Sequence, residues 1–207
     1  MDISVSRCEE MAKAMSGQKP VKPSADSLAA AVRTVKPRGL PPVHLWNPPF
    51  TGEMDMRIAR DGTWFHEGIP IKRPNMVRLF SSILKLEESR YFLVTPVEKV
   101  GITVDDAPFV AVDFDVTGEG PDQVLTFTTN VGDTVVAGPD NPIRLEHAEE
   151  TDEPSPYVHV RAGLEALIDR KTFYRLADLG EDHRGWFGLW SSGQFFPLLP
   201  SDAIDDR

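Results

Sequence analysis

The middle of the chain, from residue 91 to residue 147, is divided into short runs of β-forming residues. The runs are rich in valine, threonine and phenylalanine, and aspartate, glycine, asparagine or proline stands between them. Runs of this length and spacing are typical of antiparallel sheets whose strands are joined by short loops. We therefore predict strands at residues 91–95, 100–104, 109–116, 123–129, 133–137 and 143–147.

Three other segments have the apolar spacing of amphipathic helices. Ser24 or Asp26 can cap the first, because a side-chain oxygen there accepts a hydrogen bond from an amide at the helix N-terminus. The second begins at Pro74, a residue that suits the first helical position, and the third follows Asp169, another capping residue. The predicted helices are residues 26–35, 74–88 and 170–179.

A first β-hairpin is predicted over residues 54–67, where Asp61-Gly62 separates two short β runs. A type I′ turn at this pair would place Ile58 opposite Phe65. Since side chains alternate along a strand, Met56, Ile58 and Phe65 would then face the core. The opposite face would gather Asp55, Arg57, Trp64 and His66.

A second hairpin is predicted over residues 158–167, with a three-residue loop that has Gly163 in the left-handed conformation. This register places Val158 and Ala166 on the buried face and His159 opposite Glu165. Each hairpin is followed by a predicted helix and then by a strand, at residues 91–95 in the first case and 187–190 in the second. The recurrence of this order indicates an internal duplication that is interrupted by the β-rich segment.

These elements predict an α+β protein with two domains from an internal duplication, the second of them rich in β-structure. We place the N-terminal α+β domain at residues 24–96 and the C-terminal domain at residues 97–207. Residues 1–23 contain few large apolar side chains and are predicted to form a disordered tail.

Composition excludes several classes of function. The formal charge of the 207 residues is -10, which disfavours binding to a nucleic-acid polymer or to an anionic membrane surface. The single cysteine, Cys8, excludes an internal disulfide and a thiolate zinc cage. No histidine pair has metal-ligand spacing, and we predict no metal and no cofactor. The sequence has no secretory signal and no membrane span, so we expect a cytoplasmic protein.

Three stretches of the chain resemble one bacterial family, the Domain of Unknown Function 1285 family. They are PPVHLWNPPFTGEMDMRIARDGTWFHEGIPIKRP at residues 41–74, YFLVTPVEKVGITVDDAPF at residues 91–109 and FGLWSSGQFFPL at residues 187–198. The resemblance implies two similar domains, the second superficially like pleckstrin-homology folds. It also implies a groove between them for a small ligand, such as a nucleotide, and a role in signal transduction.

The predicted hairpin face carries groups that suit such a ligand. The Trp64 ring can stack on a base, and the Arg57 and Arg73 guanidinium groups can bind an anion. Asp55, His66 and Arg161 would flank them. In the alternative interpretation, Trp64 packs against residues 40–50 and the charged groups form ordinary cross-strand pairs.

We therefore predict a non-catalytic binding or sensor module for a small anionic ligand. One alternative is a scaffold that binds a protein partner through Trp46, Trp186 and Trp190. Another is a hydrolase that uses His66 with Asp55 or Glu98 as acid and base. The sequence has no local catalytic signature, which favours the binding module over the enzyme.

Overall fold

The computed structural model describes residues 24–34, 39–147 and 154–205, and the predicted tail of residues 1–23 lies outside them. The helices in these ranges are α1 (Ala25–Thr34), α2 (Pro74–Ser82), α3 (Arg170–Ala177) and α4 (Asp202–Asp205), with 3₁₀ turns at Val43–Leu45 and Gly120–Asp122. The strands are β1 (Phe50–Ile58), β2 (Trp64–His66), β3 (Ile69–Pro70), β4 (Leu84–Glu87), β5 (Arg90–Val94), β6 (Lys99–Val104), β7 (Phe109–Thr117), β8 (Val124–Thr129), β9 (Thr134–Val136), β10 (Ile143–His147), β11 (Pro154–Arg161), β12 (Leu164–Ile168), β13 (Glu181–His183), β14 (Trp186–Ser191) and β15 (Gln194–Pro200). None of the described helices is long and apolar enough to cross a bilayer.

The two six-stranded sheets share one strand order. The first sheet has the order β3-β2-β1-β6-β5-β4, and the second has the order β9-β8-β7-β12-β11-β10. In each sheet two antiparallel three-stranded segments are joined by one central parallel pair, β1 with β6 and β7 with β12. The second sheet therefore repeats the connectivity of the first, displaced by six strands along the chain.

A third, antiparallel sheet consists of β13, β14 and β15. The order of hairpin, helix and strand occurs twice along the chain, but β4–β6 joins the first sheet whereas β13–β15 forms a sheet of its own. The described chain is mainly strand, with a few helices between strands of the two mostly antiparallel large sheets, and this broadly fits the α+β class.

One apolar core extends through both large sheets. Trp64 and Phe80 from the first half of the chain belong to the same buried cluster as Phe109 and Phe127 from the second sheet and Leu189 from the third. All five side chains are almost completely removed from solvent. Burial of large aromatic and aliphatic side chains is the main source of folding free energy. The sheets are therefore expected to unfold together.

The strands predicted between residues 91 and 147 are confirmed as β5–β10, each bound within one residue of the prediction. The helix predicted to residue 88 instead ends at Ser82, and β4 follows. Leu84 is buried opposite Leu93, whereas the side chains of Lys85 and Glu87 form an ion pair at 2.8 Å. This alternation has the period of a strand, and it overrides the helical spacing of the same apolar residues.

The loop of the first hairpin differs from the predicted two-residue turn. The amide of Ala59 donates to the Thr63 carbonyl at 2.9 Å, which leaves a three-residue loop that ends on Gly62. Gly62 has a φ of 81°, the left-handed conformation that closes this type of loop. A Cβ atom at Gly62 would lie only 3.0 Å from the Val110 side chain, so close packing also favours glycine.

The extra loop residue shifts the hairpin register by one position. Trp64 lies opposite Ile58, and Phe65 lies opposite Arg57. Because a shift of one residue turns every side chain to the other face, Trp64 enters the core and Phe65 leaves it. The predicted type I′ turn and the face assigned from it are therefore wrong.

The second hairpin has the predicted pairs but a different loop. Ala162 and Gly163 both have positive φ and form a two-residue turn. A bulge at Val160 adds one residue to β11, so the strands beyond it pair as they would around a three-residue loop. His159 consequently lies opposite Glu165, as predicted.

The predicted boundary between residues 96 and 97 falls between β5 and β6. These strands are hydrogen-bonded neighbours, with Leu93 opposite Val100. Strand β6 also pairs with β1 at the centre of the first sheet. The first sheet therefore extends beyond the predicted boundary.

Candidate functional site

Two of the residues predicted to bind the ligand lie on the outer face of the first sheet. Asp55 is exposed, and Arg57 donates from Nη1 to Oδ2 of Asp105 at 2.6 Å. The Arg57 guanidinium also lies 4.8 Å from the centre of the Phe65 ring. Phe65 rather than Trp64 is therefore the aromatic neighbour of Arg57.

Trp64 and His66 belong to the other side of the sheet. Trp64 is 1% exposed and stacks on Phe80 with ring centres 6.2 Å apart. His66 lies opposite Met56, whose side chain is buried. The Trp64 ring is covered by protein on the face that a base would need, so the predicted face is divided between two environments.

The remaining two arginines of the predicted site lie elsewhere. Arg73 precedes α2 and is exposed, with no side-chain partner among the described residues. Arg161 forms an ion pair with Asp133, donates to the Ser81 carbonyl at 3.0 Å and covers the Phe109 ring at 4.8 Å. Arg161 thus connects the end of α2 to the second sheet and is occupied by structural contacts.

A cavity of about 1120 Å³ lies beside α3. We call it the α3 cavity. Residues of α3, the ends of β11 and β12, strands β14 and β15, and α4 contribute to its wall. Most of the wall is apolar, and its larger side chains are Leu167, Ile168, Phe173, Phe187, Leu198 and Leu199. A mostly apolar wall with a few polar groups is typical of sites for small organic molecules.

Two arginines bring positive charge to the α3 cavity. The Arg170 guanidinium donates from Nη2 to the Tyr174 hydroxyl at 3.0 Å, and both residues line the wall. Arg60 reaches the cavity from the loop between β1 and β2. Its Nη2 donates to the Ser155 hydroxyl at 2.8 Å, and its Nε lies 3.3 Å from Oδ2 of Asp106. Arg60 is therefore the contribution of the first sheet to this cavity.

The contacts of Arg60 continue into a polar network between the sheets. The Tyr157 hydroxyl donates to Oδ1 of Asp106 at 2.8 Å, and the Arg144 guanidinium lies over the Tyr157 ring at 4.4 Å. Burial of the ring, together with this hydrogen bond, raises the pKa of Tyr157 to about 12. The phenol therefore stays neutral at ordinary pH and keeps Asp106 in place beside Arg60.

The turn between β14 and β15 is hydrogen-bonded to the second sheet. Ser191 is fully buried, and its Oγ accepts from the Leu125 amide at 2.9 Å and donates to the Ala137 carbonyl at 2.7 Å. The Ser192 amide donates to the Gln123 carbonyl at 2.8 Å. These bonds tie the third sheet, one wall of the α3 cavity, to the second sheet.

Replacement of Ser191 by alanine is expected to destabilise the fold by about 1–3 kcal/mol, because the buried Leu125 amide loses its partner, whereas the Ala137 carbonyl still accepts from the Ser192 hydroxyl. Urea denaturation measures this change. Ser192→Ala, which removes one bond at an exposed position, is the matched control and should cost less than half as much. Equal losses for the two variants would contradict the assigned role of Ser191.

The tryptophans considered for a protein interface lie in different surroundings. Trp46 packs against the core, Trp186 is 46% exposed, and Trp190 packs with His183 and Phe195 at ring distances near 5 Å. His183 and Phe195 lie equally close to each other. Of the three tryptophans, Trp186 alone is exposed, whereas Trp46 and Trp190 are half-buried.

The residues of the α3 cavity were not identified from the sequence as a site. They extend from Arg60 to Ala203, and nothing in their spacing links them. Asp169 and Arg170 are predicted from the sequence only as the cap and the first residue of a helix. Among the described residues, no group of three or more His, Cys, Asp or Glu side chains is placed to hold a metal ion.

Comparisons with known proteins place the chain in a family. The family model for the N-terminal domain of DUF1285, a domain of unknown function, matches residues 41–107, and the model for its C-terminal domain matches residues 108–198. No curated protein matches the chain. A crystal structure of a DUF1285 family protein from Silicibacter pomeroyi DSS-3 is 70% identical, with a TM-score of 0.81, and the match covers 86% of this chain and 97% of that one. A DUF1285 family protein from Shewanella baltica OS155 is 27% identical over 60% of this chain and 91% of its own, with a TM-score of 0.48. The chain belongs to the DUF1285 family.

Proposed function

We propose that the protein is a non-catalytic module that binds a small anionic ligand in the α3 cavity. The observation that carries this proposal is the combination of a large apolar cavity with the guanidinium groups of Arg60 and Arg170 in its wall. Guanidinium groups bind carboxylates and phosphates through paired hydrogen bonds. This site replaces the face of the first hairpin as the location of the ligand.

Charge supports an anion rather than a cation as the ligand. The whole chain carries a formal charge of -10, so its general surface repels anions. The two arginines then supply the positive groups that an anion would meet in an otherwise mostly apolar wall. Asp169 also lines the cavity, but its carboxylate accepts the Thr172 amide at 2.7 Å as the N-cap of α3. That bond commits one of its oxygens to the helix.

Arg60 supports a role in signal transduction. It lines the cavity and at the same time contacts Asp106 and Ser155, where the first sheet meets the second. An anion in the cavity competes with Asp106 for the same guanidinium. Binding would then alter how the loop between β1 and β2 rests on β11. The coupling resembles that of other switches, in which a ligand redistributes ion pairs at an interface.

We also propose that the two large sheets arose by duplication, with β1–β6 and β7–β12 as the repeated units. The shared strand order and the equivalent parallel pairs support this assignment. It places the boundary between the units after β6, where the two family models also meet. The similarity of the second domain to pleckstrin-homology folds stays a prediction.

The two alternative functions have less support. His66 and Asp55 lie on opposite faces of the first sheet, which does not favour their use as an acid–base pair. A scaffold would instead bind its partner through an exposed surface. Trp186 and the half-exposed Phe50 are candidates for such a surface.

A fluorescence titration with anilinonaphthalene sulfonate tests the proposed function. This aromatic anion should bind the full chain. Arg60→Ala should lower its affinity about tenfold, the effect of losing one charge-assisted hydrogen bond. Neutral N-phenylnaphthylamine, which lacks the sulfonate, should bind both proteins equally and so shows that the cavity is intact. Arg175→Ala is the control, since Arg175 pairs with Asp113 outside the cavity. Equal affinity of the sulfonate for wild type and Arg60→Ala would contradict the proposal.

A further inference from the structure

We infer that the ligand of the α3 cavity is a hydrocarbon carboxylate, a molecule with a long apolar body and a single anionic head, rather than a nucleotide. The inference rests on the proposed function and specifies its ligand class. It follows from the polar groups that the cavity wall does and does not offer, and from the arrangement of charge around it.

The wall offers few hydrogen bonds to a nucleotide base. No serine, threonine, asparagine or glutamine belongs to it among the described residues, and its polar side chains are those of Arg60, His147, Asp169, Arg170 and Tyr174. Pro154, Pro156 and Pro200 line it, and proline has no amide hydrogen to donate. The hydroxyl of Tyr174 already accepts from Arg170. A base would leave its own donors and acceptors unpaired in an apolar wall, and that loss outweighs stacking on Phe173 or Tyr174.

A hydrocarbon body matches the same wall. Phe173 and Ala177 of α3 and Phe187, Leu198 and Leu199 of the third sheet all line the cavity. Apolar contact of this kind requires no hydrogen bonds from the ligand and increases with each buried methylene group. The affinity of a linear carboxylate should therefore increase about fourfold per methylene, the factor that corresponds to transfer of one CH₂ group from water.

The charges suit one anionic head rather than a polyphosphate. Arg60 is partly neutralised by Asp106 at 3.3 Å, and the Asp169 carboxylate is part of the wall. A group with several negative charges would meet that carboxylate. A single carboxylate can accept two parallel hydrogen bonds from one guanidinium, which is the preferred geometry of the pair.

Isothermal titration calorimetry of the full chain tests the inference with a series of saturated carboxylates from octanoate to tetradecanoate, each below its critical micelle concentration. We expect an affinity increase of about fourfold per methylene until the cavity is filled. Dodecanol, with the same chain and no charge, should bind at least about tenfold more weakly than dodecanoate. Adenosine triphosphate and guanosine monophosphate should show no binding.

A cavity-filling variant assigns the binding to the α3 cavity. Ala177→Phe, which inserts a ring into the wall, should lower the affinity for dodecanoate at least tenfold. Ala30→Phe, on the exposed side of α1, should leave that affinity unchanged. Dodecanoate affinity that is equal in Ala177→Phe, Arg60→Ala and wild type would overturn the inference. If a nucleotide bound in an Arg60-dependent manner and carboxylates did not, the ligand class would be wrong and the proposed function would stand. If neither class nor the sulfonate probe bound, both would fail.

Discussion

Replacement of Trp64 by alanine is expected to destabilise the protein by about 3–5 kcal/mol, the usual cost of removing a large aromatic side chain from a core. Trp64 is 1% exposed and stacks on Phe80. A loss of this size is a large part of the stability of an ordinary domain. Urea denaturation followed by circular dichroism measures this loss of stability. If the alanine variant does not fold, Trp64→Phe, which leaves a smaller void, takes its place.

Trp186 is the matched control, because the same substitution there removes a side chain that is 46% exposed. Trp186→Ala should cost less than about 1 kcal/mol. If the two variants were equally stable, the burial of Trp64 and the register of the first hairpin would both be incorrect. If Trp64→Ala folded normally and lost only ligand binding, the tryptophan would belong to a ligand site.

Replacement of Arg161 by alanine is expected to cost about 2–3 kcal/mol. The substitution removes the ion pair with Asp133, the hydrogen bond to the Ser81 carbonyl and the contact with the Phe109 ring. The estimate lies within the range for hydrogen bonds to a charged group, since the Arg161 side chain is 23% exposed and solvent screens part of its charge. Thermal unfolding followed by circular dichroism measures the loss.

Arg73→Ala removes the same side chain at an exposed position and should change stability by less than about 0.5 kcal/mol. Both variants should retain wild-type affinity for anilinonaphthalene sulfonate, because neither arginine lines the α3 cavity. Weaker probe binding in Arg161→Ala, with stability unchanged, would return Arg161 to the ligand site.

The strands of the central region could be predicted because their signals are local. Turn-forming residues mark where each strand ends, and β-branched residues fill the runs between them. The third predicted helix could be predicted equally well, since Asp169 caps it as predicted by accepting from the Thr172 amide. The end of α2 was not, because Leu84 and Leu86 fit a helical stripe and a strand equally well, and pairing with β5 decides between them.

The ligand-binding face predicted from the sequence depended on the type of the turn in the first hairpin. Asp-Gly is compatible with a two-residue turn and with a three-residue loop that ends on glycine, and these differ in register by one residue. Packing of Gly62 against Val110, 48 positions away in the chain, favours the longer loop. The sequence around the turn holds no information about that contact. A local ambiguity therefore moved Trp64 from the surface to the core.

The α3 cavity could not have been predicted from spacing. Its wall combines a loop of the first sheet, the ends of β10, β11 and β12, the helices α3 and α4, and two strands of the third sheet. The bond between Ser191 and β8 and the bond between Arg60 and Ser155 help to hold these elements together, far apart in the chain as they are. Their residue types are those of ordinary core and surface positions, so neither composition nor motif identifies them.

A crystal structure of the protein grown with dodecanoate tests the central claim most directly. The account predicts a hydrocarbon chain between Phe173 and Leu199, with its carboxylate within hydrogen-bond distance of the Arg60 guanidinium. Density for the ligand on the outer face of the first sheet, beside Arg57, would contradict it. A cavity that stays empty at ligand concentrations far above the calorimetric dissociation constant would contradict it as well.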